Sequence, residues 1–360
     1  MDIKKIVLTG GPCAGKTTAL GRIKTEFEAL GYTVLTVAET ATEMITGGVA
    51  PWTCGESADF QKLRLELQLE KESVFFRAAR TMEREKVLIV CDRGALDSVS
   101  YMSGETFREA LAQLGKSETE LRDSYDAVFH LVTSAKGSMD HFRTGEGTGR
   151  NEDAQRAAEL DDKLISAWCG NPHMRVIGCR DSFEEKMDRL IMEIASFLGV
   201  PEPIETERKY LIKYPDLGYL SSYPFCRKTE IEQTYLVFRG ERIRRRGAEG
   251  SYICFHTAKR AIDGIRRYEN ERRIGKAEYD ELMKFADPGR GTLKKDRYCL
   301  VYNEQYFEID VYPFWNDKAI MEIELCDPGE KVDIPPFIEV MDEVTGDPAY
   351  SNASLARNLK

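Results

Sequence analysis

The first half of the chain alternates short apolar runs with long amphipathic stretches. The apolar runs lie in IKKIVLTG, YTVLTVAE, KVLIVCDRG, YDAVFHLVT and HMRVIGC. Between them are stretches with helical periodicity, the longest of which is SADFQKLRLELQLEKESVFFRAAR. Strands that alternate with helices in this way predict a parallel sheet with helices on both faces. We therefore expect an α/β domain with a sheet of about five strands over residues 1–199.

The pattern changes after a predicted closing helix, FEEKMDRLIMEIASFLG, which ends at Gly199. Residues 200–203 contain two prolines and are expected to form a linker. From Ile204 onward apolar and charged residues alternate, as in EIEQTYLVF, ERIRRRG, SYICFHTAK and KAIMEIEL. This period of two, interrupted by one helical insert near GKAEYDELMKFA, predicts an antiparallel β domain over residues 204–360. The charged positions would form the exterior of a sandwich or the interior of a closed barrel.

Composition narrows the class of protein. A chain of 360 residues suggests two domains, and no stretch approaches the roughly 20 apolar residues of a membrane span. The opening MDIKKIVLTGG is typical of a first strand rather than a signal peptide, so we expect a cytoplasmic location. Nine cysteines without a C-x-x-C pair suggest reduced thiols. The four histidines lack metal-ligand spacing, which favours Mg²⁺ or Mn²⁺ with oxygen ligands over zinc.

Net charge points to the kind of ligand. The value of −10 argues against a nucleic-acid partner, although the stretch from Arg239 to Arg297 is locally basic. A basic region in an acidic chain indicates a small polyanion.

A glycine-rich loop follows the first predicted strand. Residues 10–17, GGPCAGKT, fit G-x-x-x-x-G-K-[ST], with a strand before them and a helix after them, as the motif requires. Backbone N–H groups of such a loop surround a phosphate, the lysine neutralises charge, and the hydroxyl ligates Mg²⁺. We therefore expect ATP or GTP to bind here. The expected nucleotide-binding residues are Gly10, Gly11, Pro12, Cys13, Ala14, Gly15, Lys16, Thr17 and Thr18, of which Lys16 is also catalytic and Thr17 a metal ligand.

Asp92 ends the third predicted strand, where a carboxylate either holds Mg²⁺ or caps a turn. The Asp92-Arg93 pair resembles that of nucleoside and nucleotide kinases, in which the acid serves the metal or the acceptor and the arginine steadies phosphate. The resemblance implies that Glu39, after the second strand, accepts the acceptor's proton; the alternative is a helix N-terminal carboxylate. Asp92-Arg93-Gly94-Ala95 does not fit D-x-x-G and no N-K-x-D is present, so the base stays open.

The loop HFRTGEGTGRNEDAQRAAELDD, after the fourth strand, resembles the lid of those kinases. The resemblance implies that its arginines close over the transferred phosphate, while each could equally be a surface residue. The three candidates are Arg143, Arg150 and Arg156.

Charged residues spaced by two recur along the strands of the second domain, so each set lies on one face of its strand. On the first strand they are Glu205, Glu207 and Lys209, which alone would be typical of a solvated edge. Later sets separate by sign, however, and a barrel interior could use acidic pairs for divalent metals and basic side chains for polyphosphate oxygens. The later sets are Arg242, Arg244 and Arg246; Thr257 and Lys259; Arg267, Glu269 and Glu271; Lys295 and Arg297; Glu308 and Asp310; Glu322 and Glu324.

These sets, in this order after an E-x-E-x-K strand, resemble the CYTH family of triphosphate tunnel metalloenzymes. The resemblance implies an eight-stranded antiparallel tunnel that binds triphosphate with Mg²⁺ or Mn²⁺ and often hydrolyses it through a metal-activated water. Glu205, Glu207 and Lys209 would be catalytic. The expected metal ligands are Thr17, Asp92, Glu205, Glu207, Glu269, Glu271, Glu308, Asp310, Glu322 and Glu324. The expected triphosphate ligands are Lys209, Arg242, Arg244, Arg246, Lys259, Arg267, Lys295 and Arg297.

The first domain resembles AAA-like ATPases and kinases, and the tandem resembles fused P-loop and CYTH proteins, among them eukaryotic GTP-binding trafficking proteins. One hypothesis is an enzyme, in which the loop domain is an NTPase or kinase and the tunnel is a metal-dependent triphosphatase. The other is a nucleotide-gated binding module whose tunnel domain senses a phosphorylated ligand or a phosphoinositide headgroup with little turnover. The expected partners are a nucleoside triphosphate and a triphosphate or phosphorylated small molecule.

Overall fold

A computed structural model describes residues 2–136, 153–178, 182–201, 204–248, 250–261 and 266–359. The chain divides into two compact units, Met1–Ile191 and Met192–Lys360. Within the described residues, no helix has the length and apolar character needed to cross a membrane.

The first unit contains a parallel sheet of five strands with helices, which confirms the predicted α/β class. The strands lie in the order β2-β3-β1-β4-β5. They are β1 (Asp2–Thr9), β2 (Thr33–Val37), β3 (Lys86–Asp92), β4 (Ala127–Leu131) and β5 (Met174–Ile177). The helices are α1 (Lys16–Ala29), α2 (Thr40–Thr46), α3 (Ser57–Thr81), α4 (Gly104–Gln113), α5 (Glu118–Arg122), α6 (Ala154–Trp168) and α7 (Phe183–Phe197).

The central strands of this sheet are almost continuously buried. Ile6, Val7 and Leu8 of β1 and all of β4 are buried, as expected for strands covered on both faces. Because the strands are parallel, β1, β3 and β4 end at one edge of the sheet. This edge therefore collects the glycine-rich loop after β1, Asp92 after β3 and the residues that follow β4, in the place where open α/β sheets bind ligands.

The second unit contains an antiparallel sheet of nine strands in the order β10-β9-β8-β7-β11-β12-β13-β6-β14, with an additional pairing of β10 with β6. The strands are β6 (Ile204–Lys213), β7 (Cys226–Tyr235), β8 (Glu241–Ala248), β9 (Ser251–Ala261), β10 (Arg266–Ile274), β11 (Leu293–Tyr302), β12 (Gln305–Val311), β13 (Lys318–Glu324) and β14 (Val340–Glu343). Three short helices accompany them: α8 (Leu217–Ser222), α9 (Lys276–Leu282) and α10 (Asn352–Arg357).

The strand count corrects the expected eight-stranded barrel. The extra strand, β14, pairs with β6 through Val340, Asp342 and Glu343 with a shift in register. All four residues of β14 are exposed. A strand without a buried face has no apolar alternation, so the pattern that revealed the other strands does not reveal this one.

The two faces of β6 and β11–β13 differ in chemistry. One face carries an apolar cluster that includes Ile212, Leu300, Phe307 and Met321 and is packed against Leu220 of α8. The alternate positions of the same strands carry Lys209, Arg297, Asp310 and Glu322, and these are buried as well. The charged positions therefore do not form a solvated exterior.

Apolar side chains also occupy one end of the charged face. Leu211, Leu293 and Ile320 cluster there with Leu355 and Ala356 of α10. Their positions in the strands have the same parity as those of Lys209, Lys295 and Glu322, so they lie on the same face. The charged region is bounded at this end by packed hydrocarbon.

Candidate functional sites

The glycine-rich loop joins β1 to α1 through residues with unusual backbone angles. Gly10 has φ of 142°, Cys13 of 58° and Gly15 of 92°, a region that side chains with a Cβ rarely adopt. A Cβ at Gly10 would lie 2.1 Å from the carbonyl oxygen of Leu131, and one at Gly15 would lie 2.7 Å from the Phe183 ring. Both motif glycines are therefore required by close approach as well as by conformation.

Lys16 folds back over the loop that precedes it. Its Nζ donates to the carbonyl oxygens of Gly10 at 2.8 Å and Gly11 at 3.0 Å. Burial and the nearby Arg93 guanidinium lower the pKa of Lys16 to about 7, against the opposing effect of Asp92 and Glu39. An anionic phosphate near Nζ would reverse this shift, because it favours the charged ammonium.

Asp92, at the end of β3, has a carboxylate oxygen that is unsatisfied within the described part of the chain. Its Oδ1 atom is buried and has no hydrogen-bond partner among the described residues. Burial, and then the neighbouring Glu39 carboxylate, raise the pKa of Asp92. An orphaned buried carboxylate oxygen at the carboxyl edge of a parallel sheet fits the oxygen ligation that Mg²⁺ prefers.

Arg93 connects the carboxylates of this edge to the loop. Its Nε donates to Glu39 at 2.5 Å, and its Nη1 lies 3.3 Å from Asp97 Oδ2 and 3.4 Å from the Gly10 carbonyl oxygen. Asp97 is fully buried and also accepts hydrogen bonds from Thr9 Oγ1 at 2.9 Å and Trp168 Nε1 at 2.7 Å. The guanidinium is therefore held in one orientation by two carboxylates.

Glu39 is better suited to holding Arg93 than to accepting a proton. Burial alone would raise its pKa, but the Arg93 guanidinium and a hydrogen bond from Thr42 lower the pKa of Glu39 to about 2. A carboxylate with so low a pKa is a weak base.

This pairing predicts a pH dependence for Glu39→Gln. Because the pKa of Glu39 in the folded protein lies below the ordinary glutamate value of 4.5, the stabilisation by Glu39 is present above pH 4.5 and is lost as the pH falls towards 2. Urea denaturation should show a loss of about 1.5–3 kcal/mol at pH 7 that narrows at pH 3.5. The matched control is Glu43→Gln in α2, the helix that has Glu39 at its N-cap; the exposed Glu43 carboxylate pairs with Lys71. An equal loss at both pH values would contradict the assignment.

Of the three predicted lid arginines, the structure describes Arg156. Arg143 and Arg150 lie outside the described residues. Arg156 is in the first turn of α6, where it is half-exposed and its Nη1 lies 3.2 Å from Glu159. The ion pair is typical of a helix surface, and the role of Arg156 in phosphate binding stays a prediction.

The charged face of the second unit falls into two groups, of which the first lies on β8–β10. Arg244 Nη2 lies 2.7 Å from Glu271, whose other oxygen accepts from Thr257 Oγ1 at 2.6 Å. Lys259 Nζ lies 2.5 Å and Arg242 Nη2 3.6 Å from Glu269. Arg246, on the same face of β8, is also buried. Cations therefore outnumber carboxylates in this group.

The second group lies on β6 and β11–β13. Arg297 contacts three carboxylates: Asp310 at 2.6 and 2.7 Å, Glu322 at 3.1 Å, and Glu308. Lys209 Nζ lies 2.6 Å from Glu322 and 3.6 Å from Glu207, and Lys295 pairs with Asp310. In this group the carboxylates outnumber the cations.

Cross-strand register places like charges side by side in the second group. Glu308 of β12 lies directly opposite Glu322 of β13, and Glu324 lies opposite Glu207 of β6. Like charges in such positions are destabilising, and cations between them offset the repulsion. Attraction by Lys209 and Arg297 outweighs the effect of burial and holds the pKa of Glu322 well below its usual range. Burial and Arg297 lower the pKa of Lys295 to about 8.

Asp310 is the most deeply placed carboxylate of this group, fully buried between Lys295 and Arg297. Asp310→Asn would remove the carboxylate paired with the buried Lys295 and one of the three carboxylates that contact Arg297, so we expect a loss of about 3–5 kcal/mol in the free energy of unfolding. The measurement is urea denaturation, followed by hydrogen exchange in β11 and β12. The control is Asp296→Asn, whose exposed carboxylate lies 2.7 Å from Lys228 and should matter by only about 0–1 kcal/mol. Equal losses in the two variants would show that burial does not determine the effect.

Metal ligation in the second unit stays a prediction. Among the residues that the structure describes, no group of three or more His, Cys, Asp or Glu side chains is arranged to hold a metal ion. The side chains of Glu205 and Arg267 lie outside the description. Of the other expected ligands in this unit, Glu324 lies opposite Glu207 in register, and the rest pair with lysine or arginine as described above.

Several residues of the two sites carry no signal in the sequence pattern. Thr229 and Gln233 of β7 are buried and lie opposite Arg297 and Arg244 in register, but β7 has no charge at these positions to reveal its inner face. Asn352 of α10 accepts from Tyr312 at 2.7 Å and lies 3.4 Å from Lys295 Nζ. In the first unit, Asp97, Asp161 and Lys186 bond to residues that are distant in the sequence, and no local motif predicts these bonds.

Comparison with known proteins gives one family match. Residues 5–186 match the model of a family described as AAA domain. No curated protein matches the chain.

Solved structures give weaker likenesses. The inorganic triphosphatase NE1496 is 24% identical over 42% of this chain and 94% of that chain, with a TM-score of 0.28. A conserved hypothetical protein from Pyrococcus furiosus is 26% identical over 33% of this chain and 78% of that chain, with a TM-score of 0.27. Thymidylate kinase from Ehrlichia chaffeensis is 11% identical over 55% of this chain and all of that chain, with a TM-score of 0.38. All three TM-scores are low, so these likenesses decide neither fold nor function.

Proposed function

Since the chain belongs to the AAA domain family through residues 5–186, we propose that its first unit binds ATP or GTP at the loop Gly10–Thr18 and cleaves or transfers the γ-phosphate. The observation that carries the proposal is the loop itself, with Lys16, Arg93 and an orphaned carboxylate oxygen of Asp92 at the same edge of the sheet. Thr17 and Asp92 would hold Mg²⁺, which when bound neutralises phosphate oxygens.

The protein's own residues then have separate roles in this unit. Loop N–H groups bind the phosphates, and Lys16 exchanges its carbonyl partners for a phosphate oxygen. Arg93, oriented by Glu39 and Asp97, stabilises charge on the transferred group.

Nucleotide binding should depend on Lys16. Lys16→Ala removes the only charge of the loop motif, so we expect the Kd for MgATP or MgGTP to rise by about tenfold or more, consistent with a hydrogen bond to a charged group. Isothermal titration calorimetry checks this, with exposed Lys24→Ala of α1 as the control. Equal affinities of Lys16→Ala and Lys24→Ala would contradict the assignment of the loop.

For the second unit we propose a tunnel that binds and hydrolyses a triphosphate. The observation that carries it is the buried charge, with cations in excess on β8–β10 and carboxylates in excess on β6 and β11–β13. The pairing of β10 with β6 as well as β9 supports a sheet that returns on itself. The oxygen-only donor set suits Mg²⁺ or Mn²⁺, which when bound would supply a water of lowered pKa. Glu207, Glu308, Glu322 and Glu324 would hold it.

The charge distribution supports a division of labour in the tunnel. Arg242, Arg244, Arg246 and Lys259 would bind phosphate oxygens, for which arginine forks are suited. Carboxylates of β6 and β11–β13 are paired with lysine and arginine side chains. These carboxylates would hold the metal in place of those side chains. Domain bounds of 1–199 and 204–360, with the linker between them, remain part of this proposal.

Triphosphatase activity tests the second unit. Phosphate release from tripolyphosphate, ATP, GTP and thiamine triphosphate is measured in protein that carries Lys16→Ala, so that turnover by the first unit is not counted. Release should require Mg²⁺ or Mn²⁺ and fall by about 100-fold or more when Glu322→Gln is added, since electrostatic groups of this kind contribute that much. The control is Glu232→Gln, a carboxylate paired with Arg245 on the other face of β7. Loss of stability is checked by the melting temperature of each variant. Full activity in folded Glu322→Gln would overturn the tunnel assignment.

A further inference from the structure

The phosphate loop is tied to three elements other than its own strand and helix. The Gly11 N–H donates to Asp161 Oδ1 of α6 at 2.8 Å. The Thr133 hydroxyl, just after β4, donates to the Pro12 carbonyl oxygen. Lys186 Nζ of α7 donates to the Ala14 carbonyl oxygen at 3.0 Å. Asp161, Thr133 and Lys186 are all buried, at 0%, 1% and 4% exposure.

These ties determine which way the peptide groups of the loop point. In a trans peptide the C=O and the following N–H lie in one plane and point in opposite directions. The Pro12 and Ala14 carbonyls point to the outer side of the loop, where Thr133 and Lys186 lie. The N–H groups of Cys13 and Gly15 therefore point to the inner side, towards the space that the loop surrounds. A loop binds an anion by converging successive N–H groups in this manner.

The bond to Asp161 orients the peptide group between Gly10 and Gly11 the other way round. It holds the Gly11 N–H on the outer side, which turns the Gly10 carbonyl inward. This carbonyl accepts from Lys16 Nζ at 2.8 Å and lies 3.4 Å from Arg93 Nη1. Asp161 therefore fixes the inner carbonyl against which Lys16 rests.

Both buried charges are compensated where they lie. Asp161 Oδ1 also accepts from the Thr133 N–H at 3.2 Å and contacts His130 Nε2 at 3.1 Å, while Oδ2 lies 2.9 Å from Lys136 Nζ. Lys186 Nζ donates to the Val132 carbonyl oxygen at 2.5 Å as well. Lys136 therefore offsets the negative charge of Asp161, and two carbonyl oxygens accept from the Lys186 ammonium.

Packing of α7 against α1 keeps Lys186 in place. Arg22 of α1 lies 3.2 Å from Glu184 and also pairs with Asp188. The Phe183 ring lies against Gly15, where a Cβ would come within 2.7 Å of it. One end of α7 is thus attached to both the loop and the helix that follows it.

We propose that Asp161 and Lys186 are positioning residues for the nucleotide phosphates. Neither touches phosphate; they hold the peptide planes of the loop so that the Cys13 and Gly15 N–H groups face the anion before it arrives. Such preorganisation raises affinity because the cost of ordering the loop is met in the folded protein. The proposal rests on nucleotide binding at the loop, the proposed function of the first unit.

The test is the affinity of the folded full-length protein for MgATP and MgGTP, measured by calorimetry well below each variant's melting temperature. The heat that persists in Lys16→Ala is subtracted, so binding in the second unit is not counted. Asp161→Ala and Lys186→Met should each raise the Lys16-dependent Kd by about tenfold. Asp161→Asn keeps an oxygen for the Gly11 N–H and should recover part of the loss.

Two neighbours on α6 serve as matched controls. Asp162→Asn removes a carboxylate 2.6 Å from Lys136 that does not bond to the loop, and Lys163→Met removes an exposed charge. Both should keep the Kd within about twofold of the parent protein. If Lys186→Met does not fold, Thr133→Val takes its place with the same expectation. This substitution removes the tie to Pro12 together with one acceptor for the Ala135 N–H outside the loop.

The outcomes separate this inference from the function on which it rests. Nucleotide affinity that is unchanged in Lys16→Ala would overturn the proposed function and the inference with it. A Lys16-dependent Kd that is unchanged in Asp161→Ala and Lys186→Met, while their melting temperatures fall, would leave the proposed function intact and assign these residues to stability alone.

Discussion

A buried ion requires an opposite charge or a full set of hydrogen bonds, because removing it from water costs several kcal/mol. This constraint organises the whole second unit. The apolar cluster on one face of β6 and β11–β13 forces the opposite face of the same strands inward together with its charges. The buried charges of this face form ion pairs with one another. Arg297 contacts three of the carboxylates and so stabilises more of them than any single pair would.

The same constraint shapes the first unit in a different way. Here the buried ions stand at the edge of a sheet whose interior is apolar, and each is oriented by neighbours rather than neutralised in a network. Asp97 holds Arg93, and Arg93 holds Glu39. Asp92 keeps a buried carboxylate oxygen that has no hydrogen-bond partner among the described residues. The edge of the sheet thus holds an oriented guanidinium and a carboxylate oxygen that is free to accept a bond. This combination suits a site that takes up a ligand and releases it.

Local signals made part of this architecture predictable. The glycine-rich loop is a contiguous motif, so its place after β1 and before α1 follows from nine adjacent residues. Parallel strands share an edge, which brings Asp92 next to the loop without any further information. In the second unit, spacing by two identified inward-facing charges such as Lys209, Arg297 and Glu322, because side-chain alternation is a property of any strand.

What the sequence could not reveal depends on distance along the chain or on the absence of contrast. Asp161 is 150 residues from Gly11, and Lys186 is 172 residues from Ala14. Neither has a local motif that predicts its partner. β14 is exposed at every position, and the inner face of β7 carries Thr229 and Gln233 instead of charges. Neither feature is predictable from alternation between apolar and charged residues.

The paired state of the charged face bears on how a ligand could enter it. A neutral molecule would have to separate ion pairs without replacing either partner, which leaves buried charges uncompensated. A polyanion accompanied by a divalent cation can replace both partners at once, with phosphate oxygens facing Arg244 and Lys259 and the cation facing Glu308 and Glu322. In the proposed triphosphate site, the ion pairs would therefore favour ligands that bring both signs of charge.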